Sequence, residues 1–135
     1  MMTDIAEVVT DWVTGIMGRE VVTEFGALGT LSNSCMVRAA PGDAVERRYL
    51  SGGGIFRFPY EVYLRVIPHD APGPRIDGLA RLRALQRVIE SGGVPDVDVA
   101  WQSHTVTQVP NLYRTEESGA EVYMISAVLT YYERG

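Results

Sequence analysis

Between residues 56 and 66 the chain alternates: Phe56, Phe58, Tyr60, Val62, Leu64 and Val66 are interleaved with Arg57, Pro59, Glu61 and Arg65. A period of two puts the first set on one side of a strand and the second on the other, so this segment demands a sheet with one apolar face and one partly wet face. Pro59 adds a condition. It has no N–H and cannot complete a ladder on both sides, so the strand is expected to lie at an edge or to carry a bulge there.

An apolar sheet face has to be covered, and two segments have the spacing of covering helices. In the first, Ile5, Val8, Val9, Trp12, Val13, Ile16 and Met17 recur at intervals that place them on one face, with Thr3 or Asp4 available as N-cap and Gly18 as the left-handed stop. The second runs from Ile76 to Glu90, with Leu79, Leu82, Leu85, Val88 and Ile89 inward, Arg81, Arg83 and Arg87 outward, and Ser91-Gly92-Gly93 as its end.

Further strands are predicted at Cys35 to Ala39, Ala44 to Leu50, Val99 to Val109 and Glu121 to Glu133, the last with Tyr123, Ile125, Ala127, Leu129 and Tyr131 on one face. Pro41-Gly42-Asp43 reads as a turn, Ser51-Gly52-Gly53-Gly54 as a sharp connection and His69 to Pro74 as a loop. Pro110 to Ala120 is expected to join the last two strands, with Glu116-Glu117-Ser118-Gly119 as a solvated hairpin tip. Gly26 to Asn33, GALGTLSN, is too rich in small and turn-forming residues to be regular throughout. A chain of 135 residues is one domain's worth, so residues 1–135 are expected to form a single α+β domain. Its sheet, antiparallel or mixed, should have about four to five strands, with both helices packed on one face.

Charge and residue inventory exclude several chemistries. Seventeen acids against twelve bases give a net charge of −5, and the bases are dispersed, which argues against a dedicated nucleic-acid binder. All twelve bases are arginine; without lysine neither Schiff-base chemistry nor a P-loop lysine is available. Gly52-Gly53-Gly54 precedes a strand and not a helix, so it is read as a hairpin turn in preference to a phosphate cradle. The single cysteine, Cys35, can form no internal bridge and sits in an apolar strand, which suits a packed thiol in a reducing compartment. A metal site would need His69 and His104 to converge with a carboxylate such as Asp96 or Asp98, and their spacing does not require it. No G-x-S-x-G elbow surrounds any serine. The N-terminus has no basic n-region and carries Asp4, Glu7 and Asp11, so neither a signal peptide nor a membrane span is expected there. The expected inventory is therefore no catalytic residue, no cofactor and no metal. Arg47-Arg48 is the most pointed charge feature, and on a strand its two guanidinia should face opposite sides.

Two stretches carry a family resemblance. Ala44 to Arg65, AVERRYLSGGGIFRFPYEVYLR, and Tyr113 to Tyr132, YRTEESGAEVYMISAVLTYY, with a helix between them and an amphipathic helix at the start, resemble small tail terminator or minor capsid (tail completion) proteins of long-tailed bacteriophages and prophages. The resemblance covers most of residues 40 to 133; Glu20 to Asn33 lies outside it. It implies a structural virion protein and not an enzyme. Such a subunit forms a sixfold homo-oligomeric ring on the head-proximal end of the tail tube, ends tube polymerisation and helps join tail to head. The implied partners are the tube protein and the head-tail connector; DNA passes through the ring without sequence-specific binding, and no membrane is involved. The implied location is the tail or neck of the virion, with the host cytoplasm during assembly. Arg47, Arg48, Arg57 and Pro59 are the expected subunit-interface residues. Another neck protein, or a small α+β module holding a hydrophobic ligand between the aromatic strand and the helices, stands as the alternative.

Overall fold

The computed structural model describes residues 4–42, 44–50, 52–68 and 72–134. Thr3, Asp43, Ser51 and His69, named above in a cap, a turn, a connection and a metal site, lie outside the described residues. In chain order the elements are α1 (Ile5–Met17), β1 (Val22–Phe25), β2 (Ser34–Ala39), β3 (Val45–Arg48), β4 (Gly54–Val66), α2 (Gly73–Glu90), β5 (Ala100–Thr115) and β6 (Glu121–Glu133). They form one α+β domain with a six-stranded mixed sheet ordered β1-β2-β4-β6-β5, β3 pairing with β4 beside β2. The sheet has one strand more than the upper expectation.

The alternation in β4 fixes the layers. Phe58, Tyr60, Val62, Leu64 and Val66 meet Tyr123, Ile125, Ala127, Leu129 and Tyr131 of β6 in one buried cluster, closed by Val9, Val13 and Met17 of α1 and Leu82, Leu85 and Ile89 of α2. Both helices therefore lie on one face. α1 starts where the Asp4 carboxylate accepts from the Ala6 N–H at 2.8 Å and stops at Gly18, whose φ of 84° few other residues adopt. Of the inward positions of α2, Leu79 and Val88 are half-buried, whereas Leu82, Leu85 and Ile89 are sealed.

Two expectations are corrected. β4 is a central strand without a bulge, paired with β6 in unbroken register from Gly54↔Glu133 to Val66↔Glu121. Pro59 is accommodated because its nitrogen faces the other way: Arg57 N–H donates to Ala44 O and Ala40 N–H donates to Pro59 O, so that side of Pro59 faces the connection where β2 has ended and β3 has not begun. Secondly, β5 continues through Pro110 to Thr115, leaving only the turn around Glu116–Gly119 as the hairpin tip. β5 is the outer strand, so a missing N–H can face solvent. In a segment to which the sequence pattern assigns no element, Val22–Phe25 forms β1, which runs parallel to β2 and makes the sheet mixed. The GALGTLSN segment returns over the helix-free face: Leu28 packs on a second buried cluster of Tyr63, Val122 and Met124, and Arg65 Nε donates to Gly29 O at 2.7 Å.

Candidate functional site

Helix-free and helix-covered faces differ in chemistry because of the same period of two. On the uncovered side, Arg57, Pro59 and Glu61 of β4 lie beside Ser126, Val128 and Thr130 of β6 and Ser103, Thr105 and Thr107 of β5. With Ala40, Pro41 and Gly42 forming one wall, these residues line an open trough of about 700 Å³. Two hydroxyls and an amide at one end of it are engaged with each other: Thr107 Oγ1 and Ser126 Oγ are 2.8 Å apart, and Ser126 Oγ is 3.4 Å from Gln108 Oε1, while Pro59, Ala127 and Val128 add apolar surface. Register shifts in β5 between Val106 and Gln108 and between Gln108 and Asn111 bring these polar side chains over β6.

The charges bordering the trough are paired. Glu61 accepts from Arg38 Nε at 3.0 Å and Nη2 at 2.6 Å, and the same guanidinium lies 4.9 Å from the Tyr63 ring centre. Arg57 is 3.5 Å from Glu46. No general base sits against a serine or threonine among the described lining residues, so the trough offers hydrogen-bonding surface and not an activated nucleophile.

The predicted interface residues divide into two places. Arg57 and Pro59 border the trough, and the Gly42 backbone closes on Pro59 so tightly that a Cβ on Gly42 would lie 3.0 Å from Pro59 Cγ. Arg47 and Arg48 lie on the β3–β4 hairpin, both exposed and both without an ion pair among the described residues. They face opposite sides, as their strand position requires. Arg47 stands opposite Ile55, in the row that includes Arg57, while the Arg48 guanidinium lies 5.8 Å from the ring of Phe56, which packs against the helix-side core. The turn closes with Tyr49 N–H on Gly53 O at 2.8 Å and Gly52 N–H on Tyr49 O at 3.0 Å, Gly52 taking a φ of 101°. Gly52–Gly54 thus belong to a hairpin, and Leu50 beside them is fully exposed.

The candidate chemical residues are engaged in packing. His104 is clamped between the Tyr60 hydroxyl, 2.6 Å from Nε2, and Gly93 O, 2.9 Å from Nδ1, with the Trp12 ring centre 5.2 Å away. Nδ1 carries the proton donated to the carbonyl, Nε2 accepts from tyrosine, and burial lowers the pKa. Cys35 is buried and burial pushes its thiol up to about 11. Among the described residues no three His, Cys, Asp or Glu side chains gather as metal ligands, and Asp96 and Asp98 are exposed. The space between β4 and the helices is filled by the core. No helix among the described residues is long and apolar enough to cross a membrane.

Sequence reasoning missed the trough, whose Ser, Thr and Gln residues carry no motif and are assembled only by the β5 register. It also missed a second depression, between α1 and the segment before β5. No protein-family model matches the chain, and no curated protein matches it either.

Proposed function

We propose that this protein is a structural virion subunit that caps the head-proximal end of a phage tail tube, ends tube polymerisation and helps join tail to head, without catalysing a reaction. The observation that carries the reading is the two-sided sheet: one face is sealed by both helices, while the other presents an open trough of mixed polarity beside a hairpin whose two arginines have no ion pair among the described residues. Such a subunit offers neighbours a broad surface and a projecting contact, which is what a ring needs from each member. The resemblance of residues 40 to 133 supplies the role. A net charge of −5 without a basic stripe suits a channel through which DNA slides without being gripped. On this reading the chain takes no cofactor, its partners are further copies, the tube protein and the connector, and its place is the tail or neck.

Deleting the coding sequence from the phage or prophage that carries it tests the reading by electron microscopy of the lysate. Unjoined heads and tails of uncontrolled length are expected. Tails of normal length joined to heads would overturn it.

A further inference from the structure

We infer that copies of this chain bind head to tail, the β3–β4 hairpin of one copy entering an acid-rimmed apolar depression between α1 and the Pro95–Val97 segment of the next. The inference rests on the ring-subunit reading for closure alone. The pair of surfaces is argued from shape, polarity and charge.

The donor surface is the hairpin. Leu50 is fully exposed at its turn, Tyr49 is partly exposed beside it, and Arg47 and Arg48 flank the turn from opposite faces. An exposed leucine two residues beyond a pair of arginines is poorly explained by folding, since among the described residues neither arginine has an ion pair and the Phe56 ring beside Arg48 is the aromatic contact of the pair. The receiving surface has the complementary pattern. A depression of about 460 Å³ is floored by Val8, Trp12 and Pro95 and left open by Gly15, which contributes no side chain. Its walls are acidic on both sides: Glu7 and Asp11, one turn apart on α1, form one, and Asp96 the other. All three acids are exposed and none has an ion pair among the described residues. A hairpin entering edge-on places one arginine toward each wall and the leucine toward the apolar floor.

Topology supports a head-to-tail relation. β3 borders β4 on the side away from β6, whereas Pro95–Val97 lead into β5 at the opposite margin of the sheet. Donor and acceptor therefore lie at opposite margins, so one copy can give to one neighbour and receive from another, the heterologous arrangement that generates rings. Pairing through the β5 edge is disfavoured: β5 is broken by register shifts at four places and contains Pro110, features that blunt an edge against strand addition.

Analytical ultracentrifugation of the purified chain and two variants tests this. Arg47→Glu/Arg48→Glu reverses the donor; Gly15→Trp fills the acceptor at a helical position where an added Cβ meets nothing within 4 Å. Wild type should associate at low salt and weaken as salt rises. Each variant should associate roughly tenfold or more less tightly, and mixing the two should restore a 1:1 dimer that grows no further, since one variant keeps its acceptor and the other its hairpin. Val97→Arg replaces Gly15→Trp if the latter melts below wild type. Because Cys35 is buried, Leu50→Cys/Val97→Cys treated with a bismaleimide reports the contact directly, as a ladder of multimers from the double variant and not from either single one. Three results would overturn the inference: variants that associate like wild type, a mixture that stays monomeric while wild type assembles, or wild type that is monomeric throughout together with a double cysteine variant that gives no ladder. Tail length in the deletion phage is independent of all three, so assembly through other surfaces would remove this interface and leave the functional reading standing.

Discussion

His104 has both ring nitrogens occupied, and that arrangement sets a pH dependence. Burial disfavours the imidazolium, so in the folded chain the group titrates below its ordinary value of 6.5, while the unfolded chain takes up its proton near that value. Acidification through 6.5 therefore protonates the unfolded state first, and stability falls as pH drops, with no contribution above that range. The melting temperature should decline between about pH 7 and pH 5.5, and His104→Gln should flatten that part of the profile. Glu121 acts in a separate window: the hydrogen bond from Arg75, with a second from Tyr123, holds its carboxyl below the ordinary 4.5, so its contribution is lost only as pH falls further. Tyr60→Phe removes the donor to Nε2 and leaves a half-buried nitrogen without that partner, which should cost about 1 kcal/mol in chemical denaturation.

Among the elements, β4 and β6 carry the core. Leu64 and Leu129 are completely buried on the helix side, and either one replaced by Ala should cost about 2–5 kcal/mol, measured as a shift in denaturation midpoint. The hairpin has its own weak point. A Cβ on Gly54 would stand 2.6 Å from the Arg47 carbonyl oxygen, so Gly54→Ala should push β3 off β4 at a cost of about 1–3 kcal/mol and accelerate tryptic cleavage after Arg47 or Arg48 while the core stays protected. β4, β6 and both helices were legible in the sequence because each keeps its period over nine to thirteen residues, from Tyr123–Tyr131 in β6 to Ile5–Met17 in α1. β1 was not: of its four residues, Val22, Glu24 and Phe25 are all exposed, so no burial pattern marks it. The two prolines misled for one reason. A missing N–H matters only on the side that meets a neighbour, and which side that is depends on where β2 stops and on β5 being outermost, neither of which is written locally. The proposed interface residues Arg47 and Arg48 stand out as an adjacent pair, but the acids that face them in our proposal come from two segments more than eighty residues apart.

At the scale of the whole molecule, the proposed ring predicts a separation of folding from assembly. Arg47→Glu/Arg48→Glu should melt within about 0.5 kcal/mol of wild type, as exposed substitutions do, yet in the phage it should give unjoined heads and long tails, counted in micrographs. The sheet that supports the hairpin also determines how the subunit bears load. β6 is gripped on both sides, by β4 through all thirteen of its residues and by β5 from Glu121 to Tyr132. Tension applied along it has to shear two ladders together, whereas β3, held at three positions of β4, can be unzipped pair by pair. In a pulling experiment the hairpin should therefore yield first and at low force, with β6 last to give way; a subunit built like this can let its contact arm bend to fit a neighbour while its spine stays rigid.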